Sequence, residues 1–328
     1  MEKIGASVIG AGIYGEVHIR TYQADPRVEL ISIWSRSEER AKKIGEKYNC
    51  NYTTDIDTIA NDERVEIVSI ATPDFAHTKP AIKMLETGKH ILVEKPMATS
   101  MRECEEILKA QKKSGTKLMV NFHNRWYPPI AEAKRRIEKG EIGKPVAFYA
   151  KLSDRIEVAT EWLSWAGKSG PEWFLFPHTI DLVRWLNGKQ KAKRVFALGK
   201  RGVLEKRGIN TYDIVQAQVE FENSIAIFES SWIIPNSWPN IIEFKIDILG
   251  TEGKIGILGD KEGIEIAADR YQTPFVLDPI TEEEPIKYFI DCVLNNRSPE
   301  PSGEDGLAVT RIIEAIVKSL EQGKVMEV

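Results

Sequence analysis

Through residue 122 the chain alternates short apolar runs with segments that present one polar face, the pattern of repeated strand, helix, strand units on a parallel sheet. The runs Ala6 to Gly10, Val28 to Trp34, Glu66 to Ile70, His90 to Glu94 and Lys117 to Phe122 predict strands. Ser37 to Tyr48 and Phe75 to Thr87 predict helices between them, with helix stops at Gly88 and Gly115. The expectation is a doubly wound α/β domain over residues 1 to 124.

Beyond residue 125 the period changes. Pro128-Pro129 opens a predicted helix that carries the basic run Lys134-Arg135-Arg136, read as a solvated face, and stops near Gly140. Ile242 to Ile248 alternates apolar and charged positions, and Val215, Ala217, Val219 and Phe221 recur at every second residue, the period of strands with one buried face. Turn residues at Glu222-Asn223-Ser224 and Gly250-Thr251-Glu252-Gly253 predict antiparallel hairpins. A closing helix from Asp305 to Gln322 sets Val309, Ile312, Ile313, Ile316 and Val317 on one stripe, expected to pack back towards the first domain. Residues 125 to 328 are thus expected to form an α+β domain on a large, mostly antiparallel sheet.

The strand at Ala6 runs into Gly10-Ala11-Gly12-Ile13-Tyr14-Gly15 and then a helix, the context that gives a glycine fingerprint its meaning. The first glycine permits a tight turn, the second admits a pyrophosphate to the backbone, and the third lets helix close on strand. The helix's first amides then face phosphate charge, so Gly10, Gly12, Ile13, Tyr14 and Gly15 are candidate contacts of a nicotinamide dinucleotide. After the second strand, where an NAD enzyme usually places a carboxylate, the chain has Ser35-Arg36. These residues can bind a 2′-phosphate, which favours NADP over NAD; alternatively Arg36 stacks on adenine and either cofactor binds. Thr72 and Pro73 follow the strand ending at Ile70, where a loop should run under the pyrophosphate and nicotinamide ribose. His77 either contacts the cofactor there or is satisfied locally near Asp74.

Lys95 leaves the strand His90 to Glu94 and precedes Pro96, which disfavours helical backbone at Lys95. Ligands of parallel sheets bind beyond the carboxyl ends of the strands, so this ammonium is either catalytic or merely solvated. Composition narrows the classes that remain. A length of 328 residues suggests two domains, and 42% hydrophobic with 29% charged residues is ordinary for a soluble protein. A net charge of -4 with mixed signs argues against nucleic acid. Cys50, Cys104 and Cys292 are odd in number and scattered, which fits reduced, cytoplasmic thiols used as filling and no metal site. There is no secretory leader pattern, and no apolar run approaches the roughly 20 residues a bilayer requires.

The glycine fingerprint, Ala71-Thr72-Pro73, Glu94-Lys95-Pro96, His178-Thr179-Ile180-Asp181 and the ending Pro301-Ser302-Gly303-Glu304-Asp305-Gly306 together resemble the glucose-fructose oxidoreductase, inositol dehydrogenase and rhizopine-catabolism (Gfo/Idh/MocA) family over nearly the whole chain. The resemblance implies a Rossmann domain followed by an α+β substrate domain whose sheet packs against another subunit, giving a homodimer or homotetramer. It also implies NAD(P)-dependent redox chemistry at a sugar, cyclitol or polyol carbon. Lys95 would match the family's active-site lysine and His178 its histidine, while Glu94, Asn121 and Arg125 fall where cofactor or substrate is often contacted. One position departs from that pattern: Phe174 stands where many members carry an aspartate, four residues before the histidine.

Alcohol oxidation needs a base for the hydroxyl proton and a cation for the developing alkoxide, roles that His178 and Lys95 divide. On a helix from Pro177 to Trp185, Asp181 lies one turn from His178 and either fixes its tautomer or pairs elsewhere, for instance with Arg184. Trp165 and Phe174, with Trp162, Trp173 and Phe176, either wall a sugar ring or fill the core. Two other functions compete: a cofactor-binding regulator without turnover, and glycoside cleavage through transient oxidation with tightly held NAD.

Overall fold

The first part of the chain forms six strands in the computed structural model, which describes residues 3–259, 263–274 and 282–328. They are β1 (Ile4–Ile9), β2 (Val28–Trp34), β3 (Asn51–Thr53), β4 (Ile67–Ile70), β5 (His90–Glu94) and β6 (Leu118–Asn121). Every residue of β1, β4 and β6 is buried. Helices must therefore cover both faces of the sheet. The strands pair in parallel in the order β3-β2-β1-β4-β5-β6, so the crevice at the topological switch opens between β1 and β4. The connecting helices are α1 (Ile13–Ala24), α2 (Glu38–Tyr48), α3 (Ile56–Ala60), α4 (Thr78–Glu86) and α5 (Met101–Ser114). Ser100 accepts from Glu103 N, which caps the start of α5, and its hydroxyl donates to the Glu103 carboxylate; left-handed Gly115 ends the helix. β3 has no counterpart in the sequence expectation, because two of its three residues are exposed and show no alternation.

The second sheet belongs to the chain beyond Asn124. After α6 (Pro128–Glu138) come β7 (Pro145–Asp154), the short α7 (Pro171–Phe174) and α8 (Phe176–Leu186). Then follow β8 (Ala192–Lys200), β9 (Ile214–Phe221), β10 (Ile225–Ser231), β11 (Ile242–Gly250), β12 (Lys254–Leu258), β13 (Gly263–Ala267), β14 (Tyr271–Gln272) and, at the chain's end, β15 (Met326–Glu327). Their order is β14-β13-β12-β11-β7-β10-β9-β8-β15, and only the β7/β10 pair is parallel. Both expected hairpins are present, joining β9 to β10 and β11 to β12. On the inner face α8 packs against β7 and β10, with Phe176 edge-on to Phe228 at 6.2 Å.

The basic run of α6 is not the solvated face expected of it. Lys134 donates to Trp185 O at 2.9 Å, and Arg136 is largely covered and tied to Glu132 and Glu141; only Arg135 stands about half in solvent. The apolar stems lie along protein surface while the charged heads find local partners.

α9 (Glu284–Leu294) and the opening of α10 (Gly303–Gln322) cluster with the first sheet, up to Thr310; α10 from Arg311 on and β15 cluster with the second. α9 packs on β5, β6 and α1. The chain therefore passes between its two compact units more than once, where the sequence suggests a single boundary near residue 124. No helix among the described residues is long and apolar enough to cross a membrane.

Candidate active site

The turn out of β1 is shaped by its glycines. Gly10 has φ +123°, and a Cβ on it would lie 2.3 Å from Ala71 O. A Cβ on Gly15 would lie 1.9 Å from Gly10 O, so α1 can close on the turn only with glycine there. Around Gly12 nothing approaches within 4 Å of the same construction. No side chain caps α1, and Ile13 in its first turn is 66% exposed. An open space in front of uncapped amides, with an apolar side chain left in solvent, fits the pyrophosphate of a dinucleotide. Tyr14 stacks on His123, ring centroids 6.1 Å apart.

At the end of β2, Ser35 is buried and its Oγ accepts from Ser37 N at 3.3 Å, while Arg36 is exposed. Ser37 caps α2 by accepting from Arg40 N. Beside this turn lies a cleft of about 430 Å³ lined by Ala11, Ser37, Arg40, Lys43 and Lys47, with Glu16 and Glu39 opposing their charge. Glu16 is tied to Lys47 and Tyr48, which hold its carboxyl below the usual range against the opposing effect of burial.

The ends of β4, β5 and β6 carry the polar groups of this unit. His77 does not present its ring to a ligand: Nδ1 lies 2.8 Å from Pro96 O and Nε2 2.8 Å from Thr72 O. It staples the Thr72-Pro73 loop to the turn after β5, so the local reading of His77 is the one the geometry supports. Lys95, joined to Pro96 by a cis bond, is only 6% exposed. A buried ammonium at a strand end is no solvated surface lysine. Glu94 and Asn121 are register partners, and Asn121 Nδ2 donates to Glu94 Oε1 at 2.6 Å. His18 lies on the other side, its Nε2 2.9 Å from Glu94 Oε1 and its Nδ1 2.8 Å from Ser69 Oγ; Tyr22 OH is 2.6 Å from Ser69 Oγ. Burial alone would raise the Glu94 pKa, but the His18 hydrogen bond, the His18 and His123 rings and the Asn121 amide bring it down to about 2.

In the second unit α8 places His178 and Asp181 one turn apart, as the spacing requires. Both Asp181 oxygens accept from Arg125, at 2.8 and 2.6 Å, in a fully buried two-point pair, and Arg125 also lies over Trp185. The expectations of Arg125 as a substrate contact and Asp181 as support for the imidazole meet in this pair. The Asn124 amide nitrogen Nδ2 lies 3.3 Å from His178 Nδ1. Phe174 packs between Trp165 and Trp232, centroids 5.8 and 5.6 Å away, against a core cluster that includes Leu152, Leu175 and Leu204. Core filling is the reading this supports for Phe174 and, on that side, Trp165.

Sequence reasoning missed Asn124 and the chain of His18, Ser69 and Tyr22. The signal was present in Ser69, a hydroxyl inside the all-buried strand β4, and in His18 on the buried side of α1.

A Rossmann sheet with a glycine cradle defines a dinucleotide-binding oxidoreductase. Comparison with known proteins makes this specific: the model of the oxidoreductase family with an NAD-binding Rossmann fold matches residues 4–122, and that of the GFO/IDH/MocA C-terminal domain matches residues 130–256. The chain belongs to the Gfo/Idh/MocA family and is an NAD(P)-dependent enzyme. Levoglucosan dehydrogenase of Pseudarthrobacter phenanthrenivorans is 28% identical over 97% of this chain and 96% of its own. The scyllo-inositol 2-dehydrogenase (NAD(+)) of Bacillus subtilis is 27% identical over 98% and 95%. A solved levoglucosan dehydrogenase in complex with NADH and levoglucosan superposes with a TM-score of 0.90, 26% identity and full coverage of both chains. A 2,7-anhydro-N-acetylneuraminate hydratase of Mediterraneibacter gnavus is 25% identical over 87% of this chain and 75% of its own.

Proposed function

We propose that the protein transfers a hydride between a nicotinamide dinucleotide and a secondary alcohol or ketone of a sugar, cyclitol or related polyol, with Lys95 and His178 as the catalytic pair. The observation that carries this reading is the buried Lys95 ammonium at the end of β5, in the same sheet as the glycine cradle. The relatives named as inositol and levoglucosan dehydrogenases support the substrate class. When bound, the dinucleotide supplies the hydride acceptor or donor. Lys95 holds the substrate oxygen as it gains alkoxide character. His178 takes the hydroxyl proton at an imidazole nitrogen.

Gly10, Gly12, Ile13, Tyr14 and Gly15 cradle the pyrophosphate in this reading, and Thr72, Pro73 and Asn121 line the path to the nicotinamide. NADP is the favoured cofactor: Arg36 is exposed beyond Ser35, and Arg40 and Lys43 line the cleft beside it. Two copies join through the open face of the second sheet. A second reading, redox-assisted chemistry on a tightly held NAD without net oxidation, is favoured by the relative named as a hydratase.

Purified Lys95→Ala and His178→Ala are expected to bind dinucleotide much as the parent does while turnover falls about 10²- to 10⁴-fold. The substrate comes from a screen of polyols, aldoses and keto sugars with NAD and NADP, followed by absorbance of the reduced nicotinamide. Full turnover in both variants rejects the catalytic pair. Nicotinamide that stays with the purified protein in native mass spectrometry selects the second reading.

A further inference from the structure

Asn121 is 3% exposed, yet its Oδ1 has no hydrogen-bond partner. Its orientation is fixed by chemistry, because the Glu94 carboxylate beside it can only accept: the NH₂ must face Glu94 and the oxygen must face away. The groups behind Glu94 keep that polarity. Every contact is satisfied when Tyr22 donates to Ser69, Ser69 to His18 Nδ1, His18 Nε2–H to Glu94, and Asn121 to the same carboxylate. The His18 and Asn121 donors both point at Glu94. The buried carboxylate stays ionised, so the amide has no reason to turn over.

The unused acceptor is at the carboxyl end of β6, paired in register with the last residue of β5 and one residue from Lys95. That edge of a parallel sheet is where a ligand binds, and a buried acceptor without a partner favours a ligand that donates to it. Resting on the cofactor reading above, we infer that His18 and Glu94 are positioning residues that lock the Asn121 amide oxygen outward to accept the carboxamide N–H of the nicotinamide. This contact decides how the ring is turned relative to Lys95. A hydroxyl of the nicotinamide ribose offers the same donor chemistry, and the choice of probe separates the two.

The test is calorimetric titration of the full chain with NAD, with the analogue whose carboxamide NH₂ is replaced by CH₃ (3-acetylpyridine adenine dinucleotide), and with ADP-ribose. The parent should bind NAD about tenfold more tightly than the methyl ketone, the worth of one hydrogen bond. In Glu94→Gln, an isosteric group that can donate as well as accept, the Asn121 amide is released and the preference should shrink to about twofold or less. His18→Gln should move it in the same direction. ADP-ribose, which lacks the nicotinamide, should bind all three proteins equally and so reports a folded site. If His18→Gln loses ADP-ribose binding, Glu94→Gln alone decides by the same ratio. Equal binding of NAD and the methyl ketone by the parent overturns the carboxamide contact and leaves the cofactor reading intact, as a ribose contact would. A full preference retained in Glu94→Gln overturns the positioning role. Failure of the parent to bind NAD, NADP and ADP-ribose alike overturns the cofactor reading itself, and this inference with it.

Discussion

At the scale of single residues, the site's electrostatics follow from which charges are buried together. His123 is held down to about 4, chiefly by burial and then by Lys95 and His18, against the opposing pull of Glu94. Glu94 is held down to about 2. Both shifts have the same linkage sign. Below pH 6.5 the unfolded chain protonates its histidine while native His123 stays neutral, and below pH 4.5 it protonates its glutamate while native Glu94 stays ionised. The unfolded state binds more protons in both windows, so stability rises with pH through each. The His123 contribution, at most ~3 kcal/mol, is whole above pH 6.5 and lost as pH falls towards 4; the Glu94 contribution is whole above pH 4.5 and lost towards 2. Urea midpoints should therefore fall between pH 7 and pH 4.5, and His123→Gln should flatten that stretch while leaving the steeper loss below pH 4.5. A parent midpoint that stays level from pH 7 to 4.5 contradicts the assignment. Little of this was legible beforehand. Helical spacing correctly puts His178 and Asp181 on one side of α8, but a linear sequence does not say that Arg125, 56 positions away, takes both carboxylate oxygens.

At the scale of elements, legibility followed burial. Strands such as β1 and β4 were readable because runs buried on both faces must be continuously apolar. β3 was not readable, since it is held by backbone pairing to β2 and its side chains carry no pattern. The β1-to-α1 turn was the most legible piece, and its glycines divide into two kinds. Gly15 is required by packing, for any Cβ collides with the Gly10 carbonyl; Gly12 has room and is required only by what approaches it. Gly15→Ala should thus lower the melting temperature by several degrees and weaken dinucleotide binding with it. Gly12→Ala should melt within about two degrees of the parent and yet bind dinucleotide at least tenfold more weakly, because its methyl occupies the pyrophosphate's place. Thermal melts alongside ADP-ribose titrations check both. A Gly12→Ala protein that binds normally removes the glycine cradle from the site.

At the scale of the whole molecule, two sheets solve two different problems of covering apolar surface. The first is covered on both faces by the chain's own helices. The second, alternating in and out along β9 and β10, packs α8 against one of its faces. On its other face residues cross strands in register: Leu249, Ala147 and Ile225 form an apolar row, and Tyr149 and Ile227 stand side by side in the next, with Gln218 between Ile227 and Phe196. Leu249, Ile225, Ile227 and nearby Leu198 are exposed. Ion pairs frame the rows, from Lys151 to Glu229 and Glu243 and from Lys245 and Lys254 to Asp247. A contiguous apolar strip inside a charged frame is costly to leave in water and can be covered by a second copy of itself. The alternation was plain in the sequence of β11, but only the register shows that the outward apolar positions of β11, β7 and β10 fall side by side. Light scattering on the purified chain should report a dimer or larger, and Ile225→Lys combined with Ile227→Glu should lower the mass to that of a monomer. Because both positions face outward, the double variant should keep its secondary structure and bind ADP-ribose as the parent does. A parent that elutes as a monomer at tens of micromolar shows that this face is not an interface between copies.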